Sequence, residues 1–240
     1  MLSPGQQGDT PLIDSRQIVA NIVLEHSECV EVFQRYRIDF CCRGDLSIEA
    51  AARAKGVEVE TLVDELARAI LERKGTRARD PRELSTPELI AHIVSTHHGL
   101  LRKGLPVVLA LSTKVGRVHS ERNPNLRDLA VAVEELANTL LPHLDEEEKV
   151  LFPALLANDL DPVLVTLELV SMVDDHHAVA AVLRQIRAAS EDFNVPEWAC
   201  NSYRTLYSEL RQIESDVFTH VHLENHVLRP RFATACPNQF

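Results

Sequence analysis

Residues 143–153 read HLDEEEKVLFP and residues 220–230 read HVHLENHVLRP, one frame used twice. At identical offsets the copies share His143/His220, Glu147/Glu224, Val150/Val227, Leu151/Leu228 and Pro153/Pro230. In each, a His and a Glu stand four apart, which on an α-helix sets an imidazole beside a carboxylate on one face. A second echo lies upstream: a His-His pair at 97–98 and another at 176–177. His98 precedes His143 by 45 residues, and His176 precedes His220 by 44. An antiparallel helix pair with a short loop brings each of these His level with its His-x-x-x-Glu partner. Two such hairpins about a pseudo-twofold axis gather four His and two Glu inside one bundle, a metal-site constellation. The competing explanation is a solvated acidic face. It suits Asp145, Glu146 and Glu148 better than Glu147, because burying unpaired carboxylates twice in the same apolar frame is costly.

Composition sets the outer bounds. The 240 residues are 45% hydrophobic with only 8 Gly, enough for a core and favourable to helix. A formal net charge of −11 lacks the basic footprint of a nucleic-acid binder and fits a cytoplasmic protein. No stretch reaches the roughly 18 apolar residues of a membrane span. The opening MLSPGQQGDTPLID has no basic segment leading an apolar run, so no signal peptide is expected. Five Cys without regular spacing argue for reduced thiols rather than a disulfide framework.

Along the chain, Asp14 is placed to cap a helix over residues 15–37, broken near His26. Then follow adjacent Cys41 and Cys42 ahead of Gly44, a short Ala-rich helix opened by Ser47, and a helix at about 58–73. These make a small helical module over residues 1–75, with a charged linker at 76–85. Residues 86–240 then carry four long helices. The first runs from about 87 to 118, capped by Thr86 and kinked at Pro106; the second follows Asn123-Pro124 and bends at Pro142. The third opens at Asp161-Pro162 and runs to about 189, and the fourth runs from near Pro196 to about 229. The expected fold is all-α: a small helical module and an up-down-up-down four-helix bundle.

Periodicity selects within the His pairs. His176 has Leu169, Met172, Val179 and Leu183 at core-facing offsets, whereas His177 meets Arg184 one heptad on. His98 has Val94, Leu101 and Leu105, and His97 has Ile93, Leu101 and Gly104, a weaker contrast that favours His98. His26, His92, His119, His222 and His226 are assigned structural or surface places, and His222, two after His220, is expected to point away from the site. Six ligands exceed what one zinc uses, and neither His-Glu-x-x-His nor the Glu-x-x-His pair of ferritin-like sites is present. Two metals sharing Glu147 and Glu224, with two His each and an oxo or hydroxo bridge, have about five ligands apiece. Iron, favouring about six, keeps a position open to O2 or NO.

The sequence here resembles the iron–sulfur cluster repair di-iron proteins, which join an N-terminal Cys-Cys module to a hemerythrin-like domain. The likeness covers nearly the whole chain. The family's Asp-[Tyr/Phe]-Cys-Cys-x-Gly signature is matched by Asp39-Phe40-Cys41-Cys42-Arg43-Gly44, and its His-x-x-x-Glu runs by HLDEEEKVLFP and HVHLENHVLRPR. Two departures stand out: Arg229 where Phe is common, and Arg43 in place of the first of two glycines, which bears on how the loop bends. The resemblance implies two irons in an oxo-bridged centre held by His98, His143, Glu147, His176, His220 and Glu224, and it settles His98 over His97. It implies repair of iron–sulfur proteins damaged by nitric oxide or oxidants, with Cys41 and Cys42 as working thiols on a mobile small domain. Three functions follow: repair by iron donation or NO handling, a hemerythrin-like O2 or NO binding module, and a redox enzyme turning over NO or peroxide. Adjacent thiols favour repair, since a carrier needs none, while two buried small apolar groups are the plainer account of the pair. Expected partners are damaged iron–sulfur proteins and small diatomics, with no nucleic acid or membrane, and a homodimer is left open.

Overall fold

A computed structural model describes residues 13–73 and 79–235. Residues 74–78, the end of the expected module and the start of the linker, lie outside them, as do the N-terminal tail to residue 12 and residues 236–240 with Cys236. The chain divides into two compact units between Glu83 and Leu84. Their named elements are all helical, and the one β-type pairing among the described residues is an isolated bridge between Ile18 and Ser47.

In the first unit, α1 (Val19–Glu25) and α2 (Val30–Arg35) flank a 3-10 turn at Ser27–Cys29 and are followed by α3 (Ile48–Lys55) and α4 (Val59–Leu71). The helix expected from Asp14 starts later, with Ile18 as its N-cap. The reason is pairing with the segment ahead of α3. Val19 N donates to Leu46 O at 3.0 Å, Ile48 N to Gln17 O at 2.9 Å and Glu49 N to Ser15 O at 2.9 Å. Those bonds take the backbone groups that an earlier helix would use. Asp14 instead accepts from the Arg16 amide at 2.9 Å. Ser47 does cap α3, accepting from Ala50 N at 3.1 Å, and Gly56 ends it at φ 66°, a left-handed cap that glycine adopts without strain. Ile22, Phe33, Phe40, Ile48, Leu62 and Leu66 form the buried core.

The second unit opens one residue before the expected cap. Ser85 accepts from Glu88 N while Glu88 accepts from Ser85 N, a full capping box with Pro87 in the first turn. The first bundle helix comprises α5 (Thr86–His92), a π-helical turn at Ile93–His98 and α6 (Gly99–His119). The second comprises α7 (Asn125–Glu146), a π turn at Glu147–Leu151 and α8 (Phe152–Leu155). The third, α9 (Pro162–Ala189), is capped by Asp161, which accepts from Val163 N and Leu164 N. The fourth, α10 (Asn201–Leu223), runs into a π turn at Glu224–Leu228 and a 3-10 stretch at Arg229–Ala235.

Helix α10 starts at Asn201 rather than near Pro196, because the carbonyls ahead of it are taken by a side chain. Arg204 Nε donates to Ala199 O at 3.1 Å and its Nη2 to Glu197 O at 2.9 Å, holding a turn. α6 and α7 run through Pro106 and Pro142, and the departures from α geometry fall elsewhere, at the π turns. α6 packs on α7 and α10, and α7 on α9. Arg102 near the start of α6 meets Asp145 at the end of α7, while Gly116 near the end of α6 approaches Leu126 at the start of α7. Neighbours are therefore antiparallel, as short loops require.

Candidate metal centre

Three of the four bundle helices change from α to π geometry where the site residues sit. Glu147 and Glu224 each begin a π turn, His98 ends one, and His143 and His220 lie in the α turn just before. The internal repeat in the sequence thus reappears as a repeated local structure. Such i→i+5 turns are rare and concentrate at functional sites.

The six residues converge. His98, His143, Glu147, His176, His220 and Glu224 are each at most 4% exposed. His98 Nε2 is 3.4 Å from Glu147 Oε2 and 3.9 Å from Glu224 Oε1. His143 Nε2 is 3.4 Å from Glu147 Oε1, and His176 Nε2 is 3.1 Å from Glu224 Oε2. His220 Nε2 lies 3.8 Å from Glu224 Oε2. The ligating atoms of His143, Glu147, His176 and Glu224 all fall within 4.8 Å of one another. His98 and His220 have ring centroids 5.8 Å apart, and His143 and His176 5.0 Å. That divides the four imidazoles into two pairs around two shared carboxylates.

The inward atoms of this cluster are orphans. Nε2 of all four His and both oxygens of Glu147 and Glu224 are buried without a hydrogen bond. Buried polar groups are normally satisfied, and eight unsatisfied atoms facing one another fit a bound cation. The electrostatics of the cluster divide its donors. Burial, then the neighbouring imidazoles, push His220 down to about 3, and burial with His176 lowers His143. Burial, reinforced by the Glu224 charge, raises Glu147 well above the carboxylate range. Burial pushes Glu224 the same way, but His220, His176 and His98 around it win and hold it low. The residues present fit a metal with nitrogen and oxygen ligands.

Outward, three imidazoles are fixed by acceptors on Nδ1. His98 meets Glu148 Oε1 at 2.9 Å, His143 meets Asp175 Oδ2 at 3.2 Å, and His176 meets Asn225 Oδ1 at 3.1 Å. Second partners of this kind set ring orientation and tautomer. Glu148 is itself tied to Arg102 at 3.1 Å, and the Phe152 ring stacks on His98 at 5.8 Å. None of these supporting residues was singled out as functional from the sequence. Their signal was there in Glu148 and Asp175 flanking ligands, but flanking acids look the same on any solvated face. A small crevice, with room for about one water, borders the cluster and is lined by His143 and Glu147 with Glu146, Glu168, Met172 and Asp175.

The remaining histidines divide as periodicity suggested, with two exceptions in burial. His177 is exposed. His97 is buried but pairs with Asp216 Oδ1 at 2.8 Å instead of entering the cluster. His222, 1% exposed, is deep in the fold and stacks against His226 at 4.9 Å.

In the first unit, the Asp39 carboxylate organises the Cys pair. Asp39 Oδ1 accepts from Cys42 N at 2.8 Å and Cys41 N at 3.2 Å, with Cys41 Sγ at 3.3 Å. The two sulfurs are 3.7 Å apart. Cys41 is buried and Cys42 half-buried, and the hydrogen bond to Cys42, with burial, raises the Cys41 thiol well above its usual value. Cys42 is thus the more accessible sulfur. Arg43 is exposed and absent from the positive-φ residues, so the loop does not need glycine there. Cys29, pushed up to about 12 by burial, is an inert core thiol.

Among the described residues no helix is long and apolar enough to cross a membrane. Residues 15–70 match the ScdA_N model, a domain of unknown function (DUF542), and residues 89–232 match the hemerythrin HHE cation-binding domain. The iron–sulfur cluster repair protein ScdA of Staphylococcus haemolyticus is 33% identical over 226 residues, 92% of this chain and 100% of that protein. ScdA of Staphylococcus epidermidis is 30% identical over 222 residues, 90% of this chain and 98% of its own. YtfE of Yersinia pseudotuberculosis, also an iron–sulfur cluster repair protein, is 28% identical over 219 residues, covering 90% and 96%. With both domain models matched in order and relatives aligned along nearly their whole length, the chain belongs to the iron–sulfur cluster repair family that couples a Cys-Cys module to a hemerythrin-like domain.

Proposed function

We propose that this protein restores iron–sulfur clusters damaged by nitrosative or oxidative stress, using two irons held by His98, His143, Glu147, His176, His220 and Glu224. The observation that carries the reading is the set of buried, unbonded nitrogen and oxygen atoms facing one another between four helices. Two pairs of imidazoles flanking two carboxylates suit two metals, with Glu147 and Glu224 shared. Iron bound there supplies one-electron chemistry and an open position for a diatomic such as NO or O2. The chain's own part is to hold His143 and His220 in the neutral form through burial and to orient three of the imidazoles through Glu148, Asp175 and Asn225. Acidic side chains lining the bordering crevice, Glu146, Glu168 and Asp175, favour the approach of a cation to this side of the cluster.

Cys41 and Cys42 form the second working element, presented by a module over residues 1–75 and joined through a linker at 76–85 to the bundle at 86–240. A half-buried Cys42 beside Cys41 offers sulfur to iron or to a damaged client. The relatives that match both units are named repair proteins, which favours this reading over an O2 or NO carrier. We take its compartment to be the cytoplasm, where free thiols persist. The test is metal analysis with an optical spectrum of full-length protein prepared with and without air. About two irons per chain with an oxo-to-iron charge-transfer band is the expected result; a chain that holds no iron sinks the reading.

A further inference from the structure

Three of the four site imidazoles have an acceptor on Nδ1, and His220 has none. His220 is 0% exposed and both its ring nitrogens lack partners. Binding a metal through Nε2 leaves the imidazole proton on Nδ1, where a buried N–H needs an acceptor. Solvent cannot serve at a fully buried ring. One turn earlier on α10, on the same face, stands Asp216. Its Oδ1 lies 2.8 Å from His97 Nδ1, while its Oδ2 is buried with no partner. The His97 and His220 rings are 6.1 Å apart, so the carboxylate and both imidazoles occupy one small region. Two complementary orphan atoms, an N–H donor and a carboxylate oxygen, thus sit one helical turn apart.

We propose that Asp216, anchored by His97, is the positioning residue for His220, its Oδ2 accepting the Nδ1 proton when His220 binds metal through Nε2. This rests on the di-iron reading above and deepens it. The spare His of the first pair then has a role. His97 holds one oxygen of Asp216 and leaves the other for His220, so the carboxylate bridges two imidazoles. If Asp216 served His97 alone, a buried carboxylate oxygen and a buried ring nitrogen would remain unsatisfied a turn apart, with nothing in the packing to account for either.

The test uses the full-length chain and its Asp216→Asn variant, which preserves shape but replaces one acceptor oxygen by an amide. Ferrous iron is titrated without air against a competing chelator, and metal-free melting temperature is measured alongside. For Asp216→Asn, one of two iron affinities is expected to fall 10–100-fold, the effect seen when such partners are lost elsewhere. The other affinity and the metal-free melting temperature should stay near wild type. In the zinc-loaded wild type, an imidazole N–H proton should resonate far downfield, and the variant should lose it from that position, a readout packing alone does not move. His177→Gln, at an exposed site, should change none of these. Wild-type affinities and an unmoved proton in Asp216→Asn overturn this assignment while leaving the di-iron reading intact. Equal loss of both irons together with metal-free stability makes Asp216 a packing residue and likewise overturns it. A wild-type chain that takes up fewer than two irons overturns both.

Discussion

At the scale of single residues, the difference between ligand and bystander is what surrounds the second ring nitrogen or the carboxylate. His220→Ala and Glu224→Ala each remove a donor from a buried cluster with no substitute nearby, so each should cut bound iron sharply, read by metal analysis. His177→Ala, at an exposed position, should leave iron unchanged, and an equal loss there would mean the register of α9 is wrong. His222→Ala should also keep its iron. Because His222 is 1% exposed, though, its removal should lower stability by about 1–3 kcal/mol, visible in a thermal melt. The cysteines divide by the same reasoning. Cys29 is inert in the core, while Cys41 and Cys42 share the Asp39 carboxylate at the loop. A Cys41→Ser/Cys42→Ser double variant should retain iron and spectrum yet fail to reactivate an NO-damaged iron–sulfur enzyme. Full reactivation would remove the thiols from the mechanism.

Among the elements, the capping box that starts the bundle and the turn between α9 and α10 offer separate tests. Ser85→Ala removes the hydroxyl that accepts from Glu88 N, leaving only the backbone half of the box, and should cost about 1 kcal/mol, lowering the melting temperature by about 2–4 °C. An unchanged melt would show that this hydroxyl contributes nothing in this context. Glu191, Asp192 and Phe193 occupy left-handed backbone at φ 52°, 58° and 58° without a glycine among them. Phe193 is buried there, its ring under Arg187 and Arg211 at 5.3 and 5.7 Å, and Arg187 forms an ion pair with buried Glu214. Packing therefore overrides an intrinsic cost of roughly 1–2 kcal/mol per residue. Glu191→Gly should leave stability unchanged or raise it by up to about 1 kcal/mol, and a larger loss would mean that its side chain anchors the turn.

For the molecule as a whole, the six site residues all lie in the second unit and the Cys pair in the first. A fragment of residues 80–240 should fold and take up iron at the full-chain ratio, checked by circular dichroism and metal analysis. A fragment that stays metal-free while the full chain loads would place a needed contribution in the first unit. The buried orphan atoms also predict a large gap between metal-free and iron-loaded stability. With free iron at about a hundred times its dissociation constant, binding adds about 2.7 kcal/mol. A thermal melt that does not move on iron removal would argue against a structural share for the centre.

Much of this was legible in the sequence. The doubled His-x-x-x-Glu frame, the two His pairs and the proline and Asp punctuation gave the bundle, its connections and the six converging residues, because helical spacing and apolar flanks act locally. Boundaries such as Asp14 and Pro196 were not legible, since bonds to Leu46, Gln17 and the Arg204 side chain decide them from a distance. Most telling is the choice of the second His in 97–98 but the first in 176–177. A π turn holds one residue more than an α turn, and one stands at Ile93–His98, whereas His176 lies in uninterrupted α9. That extra residue turns the first pair by about one position, which is why a 3.6-residue period favoured His98 only weakly and the family resemblance was needed to settle it. Which side chain backs which imidazole, Glu148 for His98, Asp175 for His143 and Asn225 for His176, was likewise settled only when the helices packed, because each of these bonds joins two helices brought together by burial of their apolar faces.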